Sequence, residues 1–309
     1  MDSMTESVTQ PVAGTVLPTG RQYEISAAGY RVVVCELGAT IRSLSHDGDE
    51  LLLTFSDDQI PAGSQGMHLL PWPNRIRDGH YVFDGVAQQL PINEIPFNNA
   101  IHGLTRWQAW TLEELTDDRV SQSLLLLAQK GWPGCLRLTL THRVSADGLT
   151  VEVGAVNIGP TAVPFGYAAH PYLTAGDLPV DQWSVTAPFG SFLEVDDRLL
   201  PVALHPVDGR PEDLRGGGPL GDRVLDTAFT GASDRAGWRI EVQAGDRHRA
   251  MWGGPGLDWA QIYTPGGRAS LAVEPMSCGP DAFNEGPTHD SMLRLEPGDE
   301  VHLEWGLSI

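Results

Sequence analysis

Two histidines and a glutamate stand in surroundings unlike those of solvent-facing polar residues. His102 lies in Ala100-Ile101-His102-Gly103-Leu104 and His170 in Phe165-Gly166-Tyr167-Ala168-Ala169-His170-Pro171-Tyr172-Leu173. Glu274 follows Ser270-Leu271-Ala272-Val273 and precedes Pro275. A single histidine in apolar sequence is commonly a satisfied core residue, so the set carries more weight than any member. A carboxylate at the end of an apolar strand is costly to bury without a partner, which makes Glu274 either half of a structural ion pair or a general base. A fourth island, Pro71-Trp72-Pro73-Asn74-Arg75-Ile76, puts an arginine beside an amide in a stretch stiffened by two prolines. Arg75 there suits a fixed fork of donors toward hydroxyl or anionic oxygens, or a loop held through backbone carbonyls.

Other chemistries lack their residues. The chain has no GxSxG elbow for a serine nucleophile, no G-x-x-x-x-G-K-[ST] phosphate loop and no G-x-G-x-x-G fingerprint. Gly216, Gly217 and Gly218 have no strand-helix context and read as flexible backbone. His102, His170 and Glu274 are side chains that can ligate zinc, but a short His-x-x-x-His pair is missing. Cys35, Cys135 and Cys278 are odd in number and without CxxC spacing, which argues for buried free thiols in a reducing cytoplasm. With 20 basic against 40 acidic residues, the formal charge of −20 repels polyphosphates, so nucleic acid is not an expected partner. No apolar run approaches the roughly 18 residues that span a bilayer.

The elements that would hold these islands are strands. Leu136, Leu138 and Leu140 alternate with Arg137, Thr139 and Thr141, and Leu149 to Ile158 alternates through Val151 and Val153. Asp147-Gly148 between them predicts a hairpin turn. Further strands are expected over Tyr30–Leu37, Thr40–Ser45, Glu50–Phe55, Trp107–Leu115, Val120–Gln129, Trp238–Gln243, Gln261–Thr264 and Val301–Leu307. No long helix is expected, and 35 glycines with 23 prolines punctuate the chain. The pattern is all-β, a large antiparallel sandwich rather than a βαβ fold. Residues 21–309 are expected as one domain after a frayed tail over 1–20, with His205 to Asp222 as a surface loop rather than a linker.

Five motifs in order give the set its meaning. Asn74-Arg75-Ile76, Ile101-His102-Gly103, His170-Pro171-Tyr172-Leu173, Leu225-Asp226-Thr227-Ala228-Phe229 and Glu274-Pro275, the last followed by Gly279-Pro280-Asp281-Ala282-Phe283-Asn284, resemble those of the aldose 1-epimerase (galactose mutarotase) family. The resemblance implies a mutarotase-type β-sandwich with its site in a cleft across one sheet. It implies that His170 is a general acid and Glu274 a general base, with no cofactor and no metal. It further implies that Asn74, Arg75, His102, Asp226 and Gln261 bind the hydroxyls or ring oxygen of a monosaccharide, Gln261 on the looser match of Gln-Ile-Tyr-Thr. Leu173-Thr174-Ala175-Gly176 and Met276-Ser277 depart from the family's usual Phe-Asn-Leu and Gln-Thr, which bears on the identity of the sugar. A non-catalytic sugar-binding module or sensor on the same scaffold is the alternative. Trp72, Tyr172, Trp252 and Phe283 are candidate rings for the sugar's apolar face, or core.

Overall fold

The computed structural model describes residues 16–234 and 236–309. Of the stretch expected as a tail, 1–15 lies outside the described residues; at its end Thr19 is buried and the Gly20 N–H donates to the Leu17 carbonyl.

Two eight-stranded sheets carry the architecture. The first runs, in spatial order, Thr111–Leu115, Arg119–Leu126, Leu136–Ser145, Gly148–Asn157, Glu300–Ser308, Arg247–Gly253, Trp238–Ala244 and Ser184–Thr186. The second runs Pro201–Pro206, Phe189–Val195, Asp226–Ala232, Trp259–Tyr263, Leu271–Met276, Ala168–Ala169 and His68–Leu69, with Tyr172–Leu173 also paired to Leu271–Met276. Neighbours pair antiparallel throughout. A four-stranded sheet, Gln22–Ala27, Tyr30–Cys35, Ile41–His46 and Asp49–Glu50, completes the larger layers. Among the described residues the helices are 3-10 turns of three residues each, and none is long and apolar enough to cross a membrane.

Alternation drives the packing. Leu138, Leu140, Val151, Val153, Trp305 and Leu307 of the first sheet share one buried cluster with Phe229, Ile262, Leu271 and Val273 of the second. Such burial of apolar surface, worth about 25 cal/mol per Å2, is the main force closing the sandwich. Polar bridges cross the same interior. The Trp305 indole donates to the Tyr167 hydroxyl at 2.7 Å, His68 Nδ1 lies 2.9 Å from that hydroxyl, and His68 Nε2 lies 3.0 Å from His142 Nε2. Both imidazoles are neutral, and which partner donates across each of these contacts is set by their tautomers. Burial pushes both far below the ordinary histidine range, His142 to about 3.

The other face of the second sheet has a separate apolar floor made by Met67, Leu69, Ala168, Leu193, Ala228, Trp259 and Met276. Strand parity then fixes which side chains join it. Ala228 faces that floor, so Asp226 does too; Ile262 and Val273 face the inter-sheet core, so Gln261, Tyr263 and Glu274 face away from it.

The expected hairpin forms with Ser145 opposite Gly148, and the positive φ of 107° falls on Gly148. Over Glu50–Phe55 the expected strand reduces to Asp49–Glu50 and a single bridge from Leu52 to Leu173, because Leu51 and Leu52 are both buried and do not alternate. Cys35 and Cys278 are buried free thiols, whereas Cys135 is partly exposed. The stretch His205 to Asp222 joins two strands of the second sheet and lies along the edge of the first, where Val185 donates to the Gly218 carbonyl and Leu220 to the Trp183 carbonyl.

Candidate active site

Glu274 does not end its strand. Leu271–Met276 continues through Pro275, which pairs with Ala260, while Glu274 pairs with Gln261. Proline is tolerated inside a sheet only where its missing N–H needs no partner. Val273 donates to the Pro171 carbonyl and Ser277 to the Tyr167 carbonyl, so position 275 faces the same flank. There the neighbouring chain is interrupted between Ala168 and Tyr172, and the interruption contains His170.

That irregularity brings the imidazole to the carboxylate. His170 Nε2 lies 3.3 Å from Glu274 Oε1, with the side chains 8% and 4% exposed. The backbone of His170 is clamped on both sides, donating to the Met67 carbonyl at 2.9 Å and accepting from Gly66 N–H at 3.0 Å. Its ring stacks on Tyr172 with centroids 4.9 Å apart and planes 13° apart, and the Tyr172 hydroxyl donates to the Gly63 carbonyl at 2.8 Å.

A second pair of motifs meets on a short ladder, Arg75–Arg77 against Asn99–Ile101. His102 then donates from its backbone to the Asn74 carbonyl at 2.8 Å, and its ring stands edge-on to His170 at 5.5 Å. Gly103 is required here, since a Cβ would sit 2.0 Å from the Leu70 carbonyl oxygen at a φ of 68°. Arg75 is aimed by Glu94: Nε and Nη2 both reach Glu94 Oε1, at 3.0 and 2.9 Å, while Nη1 donates to Asn74 Oδ1 at 3.2 Å. Gly279 to Asn284 supports this ladder from behind, with Asp281 accepting from Arg77 N–H and donating its own N–H to the Arg75 carbonyl.

Asn74, Arg75, Ile101, His102, His170, Leu199, Asp226, Tyr263 and Glu274 line one pocket of about 270 Å3. Gln261 lies beside it, in an adjoining small hollow, and its amide donates to Asp226 Oδ1 at 2.6 Å. All seven residues singled out in the sequence are thus within this one region. Glu94, Leu199 and Tyr263 were not singled out. Tyr263 shares the parity of Gln261 and was findable on that ground; Glu94 and Leu199 carry no signal in the sequence. None of the four candidate rings, Trp72, Tyr172, Trp252 and Phe283, lines the pocket; Tyr172 stacks on His170 and Phe283 packs against Trp72 and Tyr81. A larger hollow of about 630 Å3 is lined mostly by residues of the first sheet and shares none with the His170–Glu274 pocket.

Burial dominates the electrostatics. It pushes His170 down to about 3, with Arg106 adding to the effect, and pushes Glu274 well above the ordinary carboxylate range, with Asp226 adding and Arg75 opposing. His102 is held far below its usual value by burial and by the nearby cationic groups. A neighbouring carboxylate on its own favours protonated His170, but in the free protein desolvation outweighs it, because burial penalises both charges at once. Four buried polar atoms in this region have no hydrogen-bond partner among the described residues: His102 Nδ1, His170 Nδ1, Gln261 Oε1 and Glu274 Oε2. Among the described residues no three His, Cys, Asp or Glu side chains are grouped as a metal centre.

The family model for aldose 1-epimerase matches residues 21–308. The uncharacterized protein YihR of Escherichia coli (strain K12) is 33% identical over 288 residues, 92% of each chain. The galactose mutarotase of Rattus norvegicus is 27% identical over 228 residues, 68% of this chain and 65% of that one. Two solved structures share the fold. A galactose mutarotase-like protein from Clostridium acetobutylicum has a TM-score of 0.82 at 18% identity, covering 92% of this chain and 94% of that one. The GalM/aldose epimerase homologue from C. elegans has a TM-score of 0.81 at 21% identity, covering 93% and 98%. The chain belongs to the aldose 1-epimerase family.

Proposed function

We propose that this protein is an aldose 1-epimerase that interconverts the α and β anomers of a free aldohexose, with His170 as general acid and Glu274 as general base. The observation that carries this reading is the 3.3 Å approach of His170 Nε2 to Glu274 Oε1 at a pocket lined mostly by hydrogen-bonding side chains, with Ile101 and Leu199 as its aliphatic members. Opening a cyclic hemiacetal needs a base at the C1 hydroxyl and an acid at the adjacent ring oxygen. The C1–O5 bond breaks, C1 becomes a carbonyl carbon, and the proton lost from one oxygen is balanced by the proton gained at the other. Rotation about C1–C2 followed by the reverse transfers closes the ring on the opposite face. Electrons and protons balance within the substrate and the two side chains.

The working form is a pair holding one proton. Burial favours neutral Glu274 and neutral His170, so charge separation needs help. A C1 hydroxyl donating to Glu274 stabilises its carboxylate, which leaves the proton for His170 to deliver. Asn74, Arg75, His102, Asp226 and Gln261 fit as partners of the remaining hydroxyls, Arg75 through guanidinium hydrogens not engaged by Glu94.

Polarimetry of a freshly dissolved α-sugar, corrected for the buffer rate, tests the proposal. Glu274→Gln and His170→Asn are each expected to slow exchange by roughly 10²–10⁴ with the fold kept. Near-normal turnover in either variant rejects the assignment, and saturable binding by the wild type without exchange favours a sugar-binding module.

A further inference from the structure

Three non-glycine residues facing the pocket have positive φ: Asn74 at 51°, His102 at 65° and Leu199 at 59°. Asparagine and histidine enter the left-handed region comparatively often, whereas a bulky apolar side chain has no local hydrogen bond to offset the crowding. Leu199 closes the hairpin between Phe189–Val195 and Pro201–Pro206. Its N–H donates to the Asp196 carbonyl at 2.8 Å, and Asp196 N–H donates to the Leu200 carbonyl at 2.9 Å. This is a three-residue loop whose last position ordinarily takes glycine. The Asp196 carboxylate also accepts from the N–H groups of Arg198 and Leu200, which secures the turn without any contribution from the leucine side chain.

The tip of the hairpin is anchored from outside as well. Arg198 donates to the Phe97 carbonyl at 3.1 Å, to Asn99 Oδ1 at 3.3 Å and to Asp78 Oδ1 at 2.7 Å. Those partners flank the Arg75–Arg77 and Asn99–Ile101 ladder, so the hairpin is fastened to the segment that presents Asn74 and Arg75. Leu199 consequently walls both the main pocket and the hollow beside Gln261. In the main pocket Ile101 is the other aliphatic residue.

On the epimerase reading, we infer that Leu199 is a specificity-determining residue, an apolar wall held beside the bound sugar by a strained turn. It accepts a ring edge that presents hydrogen and rejects an epimer that turns a hydroxyl toward it, because that hydroxyl would be buried without a partner.

Leu199→Gly tests this, since glycine keeps the turn and removes the wall. Across a panel of aldohexoses that are ring epimers, the variant is expected to raise KM for the preferred sugar by roughly tenfold at nearly constant kcat. It should compress the preference between epimers by a similar factor. Its thermal midpoint should stay level or rise, because the backbone strain is released. A lowered midpoint with unchanged KM and unchanged epimer preference would mark Leu199 as packing alone and overturn the inference. Dissociation constants for the same sugars, measured by titration calorimetry, keep the two readings apart. Wild-type protein that binds sugar without exchanging anomers sinks the epimerase reading, whereas unaltered affinities in Leu199→Gly sink this one.

Discussion

Lowering the pH from 7 to 5 should not lower kcat/KM for anomer exchange appreciably. On the proposed mechanism the active free enzyme carries one proton on the His170–Glu274 pair, and its acid limb is the addition of a second proton to His170. If that imidazole titrated near 6.5, about 3% of the enzyme would remain singly protonated at pH 5, a loss of about 30-fold. With burial holding His170 at about 3, the loss at pH 5 is on the order of one per cent. Glu274, raised by the same burial, moves the alkaline limb upward from the ordinary carboxylate range. The assay is the initial polarimetric or NMR exchange rate at low sugar concentration, corrected for buffer at each pH. Circular dichroism must accompany it, because the same groups act on stability. His170 and His142 both have depressed values, so their contribution is present above the unfolded value near 6.5 and is lost as pH falls toward about 3. At pH 5 each costs about 2 kcal/mol, together a substantial fraction of a typical folding free energy of about 5–15 kcal/mol. A 30-fold fall in kcat/KM with the fold intact would refute the argument that desolvation governs the pair.

Two further outcomes follow from contacts around the pair and its neighbours. Tyr172→Leu removes the ring stacked on His170 and should lower kcat by roughly two- to tenfold with little change in KM, the scale of an aromatic contact of about 0.5–1.5 kcal/mol; Tyr172→Phe, which keeps the stack and loses the bond to Gly63, should recover most of that rate. An equal loss in both variants would show that the hydroxyl anchor matters more than the ring. Glu94→Gln removes the carboxylate that aims Arg75 and should raise KM while destabilising the fold by about 1.5–3 kcal/mol, the worth of a charged hydrogen bond; thermal melting and saturation kinetics check it, and an unaltered KM would remove Arg75 orientation from the account of binding.

The all-β class and the hairpin at Gly148 were legible from period-two alternation and a turn dipeptide, and Arg75, His102, His170 and Glu274 stood out as polar residues in apolar or stiffened sequence; Asp226 and Gln261 joined them only through the family resemblance. What escaped depends on neighbours that sequence does not display. Pro275 reads as a strand terminator, yet the strand passes through it because the adjoining chain breaks away at His170. Pro201–Pro206 is bracketed by prolines and looks unlike a strand, but it lies at a sheet edge, where a missing donor is tolerated. Arg247–Gly253 hides its alternation because Arg249, only 2% exposed, is buried against Asp49 and the Thr174 carbonyl. Glu94 acts through a guanidinium from another segment, and Leu199 gains its place from a turn that its own residue type disfavours. In each case a tertiary partner, absent from the local sequence, decides the outcome.

The burial of the pair is itself mechanistically useful. An exposed imidazole and carboxylate would form a hydrated ion pair whether or not sugar was present, and water would compete for both proton positions. Here desolvation disfavours the charged forms until hydrogen bonds arrive to stabilise them. Glu274 Oε2 and Gln261 Oε1 can accept such bonds, and each ring nitrogen of His102 and His170 can donate or accept according to tautomer. A polyhydroxylated ring supplies donors and acceptors together, whereas an apolar ligand would offer the pocket's polar side chains no partner. On the proposed epimerase reading, movement of the proton from Glu274 to His170 is coupled to arrival of a hydroxyl at the carboxylate, so that the acid becomes competent when the base has found its substrate.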